Sequence, residues 1–298
     1  MADQTQTQSV ARVAVTGSSG KLGRAVVKDL LDHGHEVVAL DRAPSPEKQN
    51  CPFTQVDLTN YGQTVEALTA IDDRHGGVDA VVHLAAIPAP GLLTNSATFA
   101  NNITCSYNVF QAARSAGIRN LVWASSETVL GLPFDTPPPY LPVDEEYPAR
   151  PESAYSLGKH LEEQLAAQYA RWIPDTKLVG LRFSNVMNVE DYADFPSFNS
   201  DPLLRKWNLW SYIDARDAAQ AVRLSLHYDV PGSEVFIIAS PDTVMTTPTS
   251  ALAAKVFPNV EFKRPVAEHE TLLSIEKAKR LLGYQPQHTW RNHATPAA

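Results

Sequence analysis

Short apolar runs rich in β-branched residues alternate with longer amphipathic stretches along most of the chain. RVAVTG (12–17), HEVVAL (35–40), VDAVVHLAA (78–86), NLVWASS (120–126), KLVGLRF (177–183) and EVFIIAS (234–240) are continuously apolar rather than alternating in polarity. Strands of a parallel sheet, covered on both faces, have that pattern. Between them, GKLGRAVVKDLLDHG (20–34) and FANNITCSYNVFQAARSAG (99–117) carry helical periodicity and close on Gly34 and Gly117, residues suited to helix C-caps. SAYSLGKHLEEQLAAQYARW (153–172) predicts another amphipathic helix. This order predicts an α/β, Rossmann-type doubly wound parallel sheet, whose ligand lies at the carboxyl ends of the strands. The rhythm breaks at 184–210 and 241–298, where prolines, aromatics and short helices take over. We therefore expect a disordered lead-in at 1–11, a sheet domain from 12–183 plus 211–240, and a small C-terminal substrate-binding lobe from 184–210 plus 241–298.

Composition narrows the class. With 298 residues, 44% of them hydrophobic and 19% charged, the chain can bury a full core and reads as soluble and globular. A net charge of −8 argues against nucleic acid or an anionic membrane as partner. No apolar run approaches a membrane span, and the polar start MADQTQTQSV lacks the apolar region of a signal peptide. Only Cys51 and Cys105 are cysteines, with neither C-x-x-C nor H-E-x-x-H, so neither a disulfide framework nor a metal site is expected. The expected address is the cytoplasm.

The first strand runs directly into TGSSGKLG (16–23), placing Gly17, Gly20 and Gly23 before a helix. Glycines here allow a tight turn and let the helix N-terminus approach a pyrophosphate. The candidate cofactor loop is thus Gly17, Ser19, Gly20, Lys21, Leu22 and Gly23. Asp41 ends the second strand, where a carboxylate suits the ribose diol of an adenosine and repels a 2′-phosphate. NAD is therefore favoured over NADP, tempered by Arg42 next door, which suits either adenine or a phosphate. After the third strand, Asp57 and its neighbour Leu58 stand where the adenine amino group would lie; a turn leading into the next helix is the alternative for Asp57.

Tyr155 and Lys159 lie at i and i+4, on one face of the 153–172 helix. By itself such a pair is common. TGSSGKLG, HLAA (83–86), Asn102, SSETVLG (125–131) and YSLGK (155–159), in this order, resemble the extended short-chain dehydrogenase/reductase family of NAD-dependent sugar epimerases, dehydratases and dehydrogenases. The resemblance covers about residues 12–240, plus SIEKAKRLLGYQP (274–286) as the closing helix and turn. It implies Tyr155 as the acid–base residue, Lys159 as its tuner and ribose contact, and Leu84, Ala85 and Ala86 beside the cofactor. An unperturbed phenol titrates near ~10, so a lysine ammonium and an oxidised nicotinamide must favour the phenolate. Counting from Gly131, the resemblance places the substrate-positioning hydroxyl on Ser126, with Ser125 as a buried strand-end residue and Thr128 as a second hydroxyl donor. It implies a proton-relay role for Asn102, against which stands a side chain bonded only to backbone. Glu127 is either an acceptor for substrate hydroxyls or a loop carboxylate in solvent.

The substrate end departs from the family. LRFSNVMN (181–188) keeps Asn185, yet the stretch to WNLWSYIDARDAAQA (207–221) is short, and the diphosphate-clamping arginine falls on Trp210. An indole cannot replace a bidentate guanidinium. Arg205 and Lys206 could compensate or belong to a solvated run; Trp207, Trp210 and Tyr212 could stack on a sugar or belong to the core. Leu130 stands where the family often has tyrosine. The compact cleft resembles that of uronate dehydrogenases and implies a free aldose or uronic acid. The expected function is NAD-dependent hydride transfer on a sugar-like alcohol. The alternatives are a nucleotide-sugar epimerase or dehydratase that recycles its NAD, and a non-catalytic dinucleotide sensor. A homodimer through helices 99–117 and 153–172 is expected, carried by Ile103, Val109, Leu161 and Leu165.

Overall fold

The computed structural model describes residues 11–72 and 74–293. Residues 1–10, most of the expected lead-in, lie outside the described residues. The strands β1 (Arg12–Thr16), β2 (Glu36–Asp41), β3 (Phe53–Gln55), β4 (Ala80–His83), β5 (Asn120–Ser126), β6 (Lys177–Phe183) and β7 (Gly232–Ile238) form one sheet. Their order is β7-β6-β5-β4-β1-β2-β3, and every neighbouring pair is parallel. The order reverses between β1 and β4, which opens a crevice at their carboxyl ends.

The continuous apolar runs follow from this layering. Along β1, Val13 and Val15 join one core while Ala14 joins the other. The first core packs α1 (Lys21–Asp32) and α5 (Ala215–His227) through Val26, Leu30, Ala218 and Val222. The second packs α2 (Tyr61–Thr69), α3 (Asn95–Ser115) and α4 (Ala154–Trp172) through Leu68, Val109, Phe110, Ala166 and Tyr169. Most central strand positions therefore carry apolar side chains, whichever way they point, with polar ones such as Thr16, His83 and Ser126 gathered at the carboxyl ends.

Some boundaries shift. β4 stops at His83: the Leu84 N–H still donates to the Thr16 carbonyl at 3.1 Å and shares the Thr16 hydroxyl at 3.2 Å, and the Ala85 N–H turns to that hydroxyl at 3.3 Å. That bend lifts Leu84–Ala86 out of the sheet and over the crevice. α3 begins at Asn95, earlier than its periodicity predicts. In the expected lobe, Val186–Met187 pairs in parallel with Ile213–Asp214, followed by α6 (Thr249–Val256) and α7 (Glu276–Leu282). Phe195, Tyr212, Met245, Leu273 and Trp290 share one apolar cluster with Val13 and Val15, so these segments and the sheet have a common core.

Candidate active site

The cofactor loop is built by glycines at close quarters. Gly17 has φ of +69°, and a Cβ there would sit 2.6 Å from the Ala85 nitrogen. A Cβ on Gly23 would sit 2.0 Å from the Gly17 carbonyl oxygen, so α1 can seat on the turn only with glycine there. Asp41, at the end of β2, accepts from the N–H of Ser19 at 2.9 Å and of Arg42 at 2.7 Å. Its carboxylate thus ties the glycine turn to the second strand while bordering the crevice.

A cavity of about 1080 Å³ runs from this turn to the start of α4. Gly17, Ser19, Gly20, Lys21, Leu22 and Gly23 line it, with Asp41, Arg42, Leu58, Leu84, Ala85 and Ala86. The other end is lined by Ser126, Glu127, Thr128, Tyr155, Lys159 and Asn185. A tight glycine turn lining the cavity, at a helix N-terminus that no side chain caps, fits a dinucleotide pyrophosphate. Asp57 is not brought in. One of its oxygens accepts from the N–H and hydroxyl of Thr59, at 3.0 and 2.8 Å. These bonds hold its carboxyl below the usual range and suit a turn residue before α2, while its neighbours Val56 and Leu58 line the cavity.

Tyr155 is fixed by the cap of its helix. Ser153 and Ser156 exchange side-chain-to-backbone hydrogen bonds at 2.9 and 3.1 Å, a capping box around the first turn. The Tyr155 phenol is buried beside Ser126, whose hydroxyl accepts from the Thr128 N–H at 3.2 Å and hydroxyl at 3.0 Å. Burial pushes the phenol above its ordinary value; Lys159 and Ser126 pull it down, and Glu162 and Glu127 push it up again. The Lys159 ammonium donates to the Ala124 carbonyl at 2.8 Å and to Glu162 at 3.0 Å. Burial works against its charge, and Glu162, the Tyr155 phenol and the Cys105 thiol together outweigh burial, so the lysine is held above its ordinary range. Sequence reasoning missed Glu162; its place one turn after Lys159 is the signal that could have found it.

Ser125 also lines the cavity, but its hydroxyl donates to Glu163 at 2.6 Å, which leaves Ser126 as the hydroxyl facing the phenol. The Asn102 side chain is bonded to backbone. Its amide oxygen accepts from the Ile87 N–H at 2.8 Å, and its NH₂ donates to the Ile87 carbonyl at 3.0 Å. Both ends of the amide are thereby committed to the loop after β4.

Glu127 is not in solvent. It is 3% exposed, accepts from Asn208 at 3.3 Å, and its Oε2 has no hydrogen-bond partner among the described residues. Burial pushes its carboxyl up to about 7 against the pull of Ser184, Arg205 and Asn208. Asn185 lines the cavity and accepts from Arg205 at 3.0 Å. Arg205 is buried behind this layer, 5.1 Å from the Phe198 ring centre and 4.8 Å from that of Trp207; Lys206 turns outward to Asp135.

Trp210 is corrected from substrate contact to core. It is fully buried, its indole N–H donates to the Pro202 carbonyl at 2.7 Å, and its ring meets the Phe257 edge. Leu209 and Trp210 both have positive φ, and this tight turn points the indole inward. Tyr212 is likewise core, leaving Trp207 as the tryptophan that lines the cavity. Among the described residues no cluster of acids, histidines and cysteines could hold a metal, and no helix is long and apolar enough to cross a membrane.

Residues 13–239 match the NAD dependent epimerase/dehydratase family. The chain is 28% identical over 214 residues to UDP-glucose 4-epimerase from Erwinia amylovora, covering 67% of this chain and 60% of that protein's length. It is 27% identical over 236 residues to the L-arabinose 1-dehydrogenase (NAD(P)(+)) of Haloferax volcanii, covering 76% and 87%. A short-chain dehydrogenase/reductase superfamily protein from Agrobacterium tumefaciens, solved with bound NAD, has a TM-score of 0.71 at 25% identity over 94% of each chain. A mutated uronate dehydrogenase shares the fold, with a TM-score of 0.66 at 22% identity over 95% of this chain and 84% of that one. On the match over residues 13–239 the chain belongs to the NAD dependent epimerase/dehydratase family, as an NAD-dependent enzyme of the short-chain dehydrogenase/reductase type.

Proposed function

We propose that this protein is a dehydrogenase that oxidises a neutral, sugar-like alcohol. One observation carries the reading: the buried Glu127 carboxyl lines the cavity near Tyr155 with one oxygen lacking a hydrogen-bond partner among the described residues, and Arg205, which pulls on it, lies outside the lining. Lys159, the cation at that end, is engaged by Glu162 and the Ala124 carbonyl, and Ser126, Glu127, Thr128, Ser184, Asn185 and Trp207 around it carry no positive charge. A nucleotide diphosphate needs a guanidinium or ammonium clamp, and a uronate carboxylate would face Glu127 as a like charge. A polyhydroxylated neutral molecule instead supplies the hydroxyl donors that Glu127 lacks.

In this scheme Ser126 holds the reacting hydroxyl beside Tyr155, and the phenolate takes its proton. Lys159 keeps a positive charge next to that phenolate. Glu127 accepts from a second hydroxyl, and Trp207 offers its ring to the apolar face of the sugar. NAD, when bound, accepts the hydride. The identity to UDP-glucose 4-epimerases supports a second reading, epimerisation with NAD regenerated on the enzyme.

The separating experiment follows NADH formation with neutral aldoses, polyols, uronates and UDP-sugars. Steady NADH release with a neutral aldose or polyol is expected. Glu127→Gln should lower kcat/KM for that substrate by about 10- to 100-fold, the worth of a hydrogen bond to a charged acceptor. Conversion of UDP-sugars alone, without NADH release, would make the protein an epimerase.

We also infer a homodimer. Tyr107 and Leu161 are 49% and 37% exposed and, with Ile103 and Leu165, line a shallow groove between α3 and α4. Val109 is corrected: it is fully buried in the second core and contributes nothing to this face. Light scattering at micromolar concentration should give twice the chain mass, and Leu161→Arg should return it to one. A monomeric parent protein contradicts the inference.

A further inference from the structure

The catalytic lysine shares its burial with a carboxylate. Side-chain exposures are 4% for Lys159 and 0% for Glu162, and Nζ and Oε2 are 3.0 Å apart. The adjacent Glu163 is committed elsewhere: Arg182 grips it at 2.9 and 2.8 Å and Ser125 donates to it at 2.6 Å. Glu162 is therefore the acid that answers Lys159, and its other oxygen has no geometric partner among the described residues. The ammonium is held between Glu162 and the Ala124 carbonyl, with further N–H capacity left for its neighbours in the cavity.

We propose that Glu162 is a positioning residue that anchors the Lys159 ammonium and, by its charge, holds back the first deprotonation of the Tyr155–Lys159 pair. This inference rests on Tyr155 being the acid–base residue. The phenol and the ammonium interact, so the proton lost first belongs to the pair and not to either residue. A nearby negative charge disfavours that loss whichever group gives the proton up, and removing the charge favours it.

Other groups around the pair leave this sign intact. On α4 itself, Glu163 is matched by Arg182 of β6. From the turn after β5 comes Glu127, with Arg205 behind it. From α3 come the Cys105 thiol, pushed up to about 11 by burial, and the Ser106 hydroxyl. From β4 comes His83, which meets Thr16 at 2.8 Å and Ser106 at 3.1 Å and is held neutral, lowered to about 3 by burial and by Lys159. Glu162 is the acid in direct contact with the ammonium.

Glu162→Gln keeps the shape and an oxygen for Lys159 while removing the charge. The acid limb of the kcat/KM profile should move to lower pH by about 1 unit or more, and Glu162→Asp, which retains the charge, should stay with the parent. A merely structural glutamate would alter melting temperature or KM and leave the limb in place. An arm independent of turnover compares Lys159→Met with the Lys159→Met/Glu162→Gln double variant, which holds no unpaired charge at this spot. The Tyr155 phenol is titrated by ultraviolet difference absorption, with the matching Tyr155→Phe proteins subtracted. It should ionise at lower pH in the double variant. An unmoved limb in Glu162→Gln, or a phenol that titrates identically in both backgrounds, overturns the proposal. If no substrate turns over, or Glu162→Gln does not fold, the absorption arm decides alone.

Discussion

Tyr155→Phe is expected to fold like the parent, bind NAD with unchanged affinity, and lose turnover by about 10²- to 10⁴-fold, the usual worth of a general acid–base group. The ring keeps its buried packing, and the hydroxyl that is lost faces Ser126 rather than any element of the core. Lys159→Met should differ in kind. It strands the fully buried Glu162 carboxylate, and removing one partner of a buried pair typically costs about 3–5 kcal/mol. A lower melting temperature should therefore accompany the loss of activity. The remaining activity should require higher pH, because Lys159 is the leading influence that pulls the phenol down against burial. Thermal melts, NAD titrations and pH–rate profiles on the two variants separate these effects. Turnover within a few-fold of the parent in Tyr155→Phe would remove the phenol from the chemistry.

The sheet was legible because burial on both faces leaves no alternation to misread. Val13, Ala14 and Val15 enter opposite cores, yet all three must be apolar. The glycine turn was legible for a similar reason: it answers to backbone geometry next to it in sequence. Residues whose role depends on a distant partner were not. Asn102 clamps Ile87, fifteen positions earlier, a contact set by where β4 ends and not by anything around Asn102. Trp210 is turned inward by the positive φ of Leu209 and Trp210, which two large residues do not advertise. Glu162 and Glu163 look like a solvated pair on a helix surface. Only the placement of α4 against α3, β5 and β6 turns them into the buried partners of Lys159 and Arg182.

Gly23→Ala is expected to weaken NAD binding by up to about 10²-fold. The added methyl would lie 2.0 Å from the Gly17 oxygen and 2.8 Å from both the Gly17 carbonyl carbon and the Ser18 Cα. All of these are backbone atoms, so no side chain can swing aside, and α1 must back away from the turn that cradles the pyrophosphate. Overpacking of this kind costs about 1–3 kcal/mol, and at about 1.4 kcal/mol per tenfold its upper end amounts to about 10² in affinity. Gly34→Ala is the control. Gly34 follows the far end of the same helix, with φ of +82° and nothing within 4 Å of an added methyl. There the substitution carries only backbone strain of about 1 kcal/mol. It should lower the melting temperature slightly while NAD affinity stays at the parent value. Fluorescence titration with NAD and thermal melts on both variants give the comparison. Parent-like affinity in Gly23→Ala would mean that the contact between helix and turn is not what holds the cofactor.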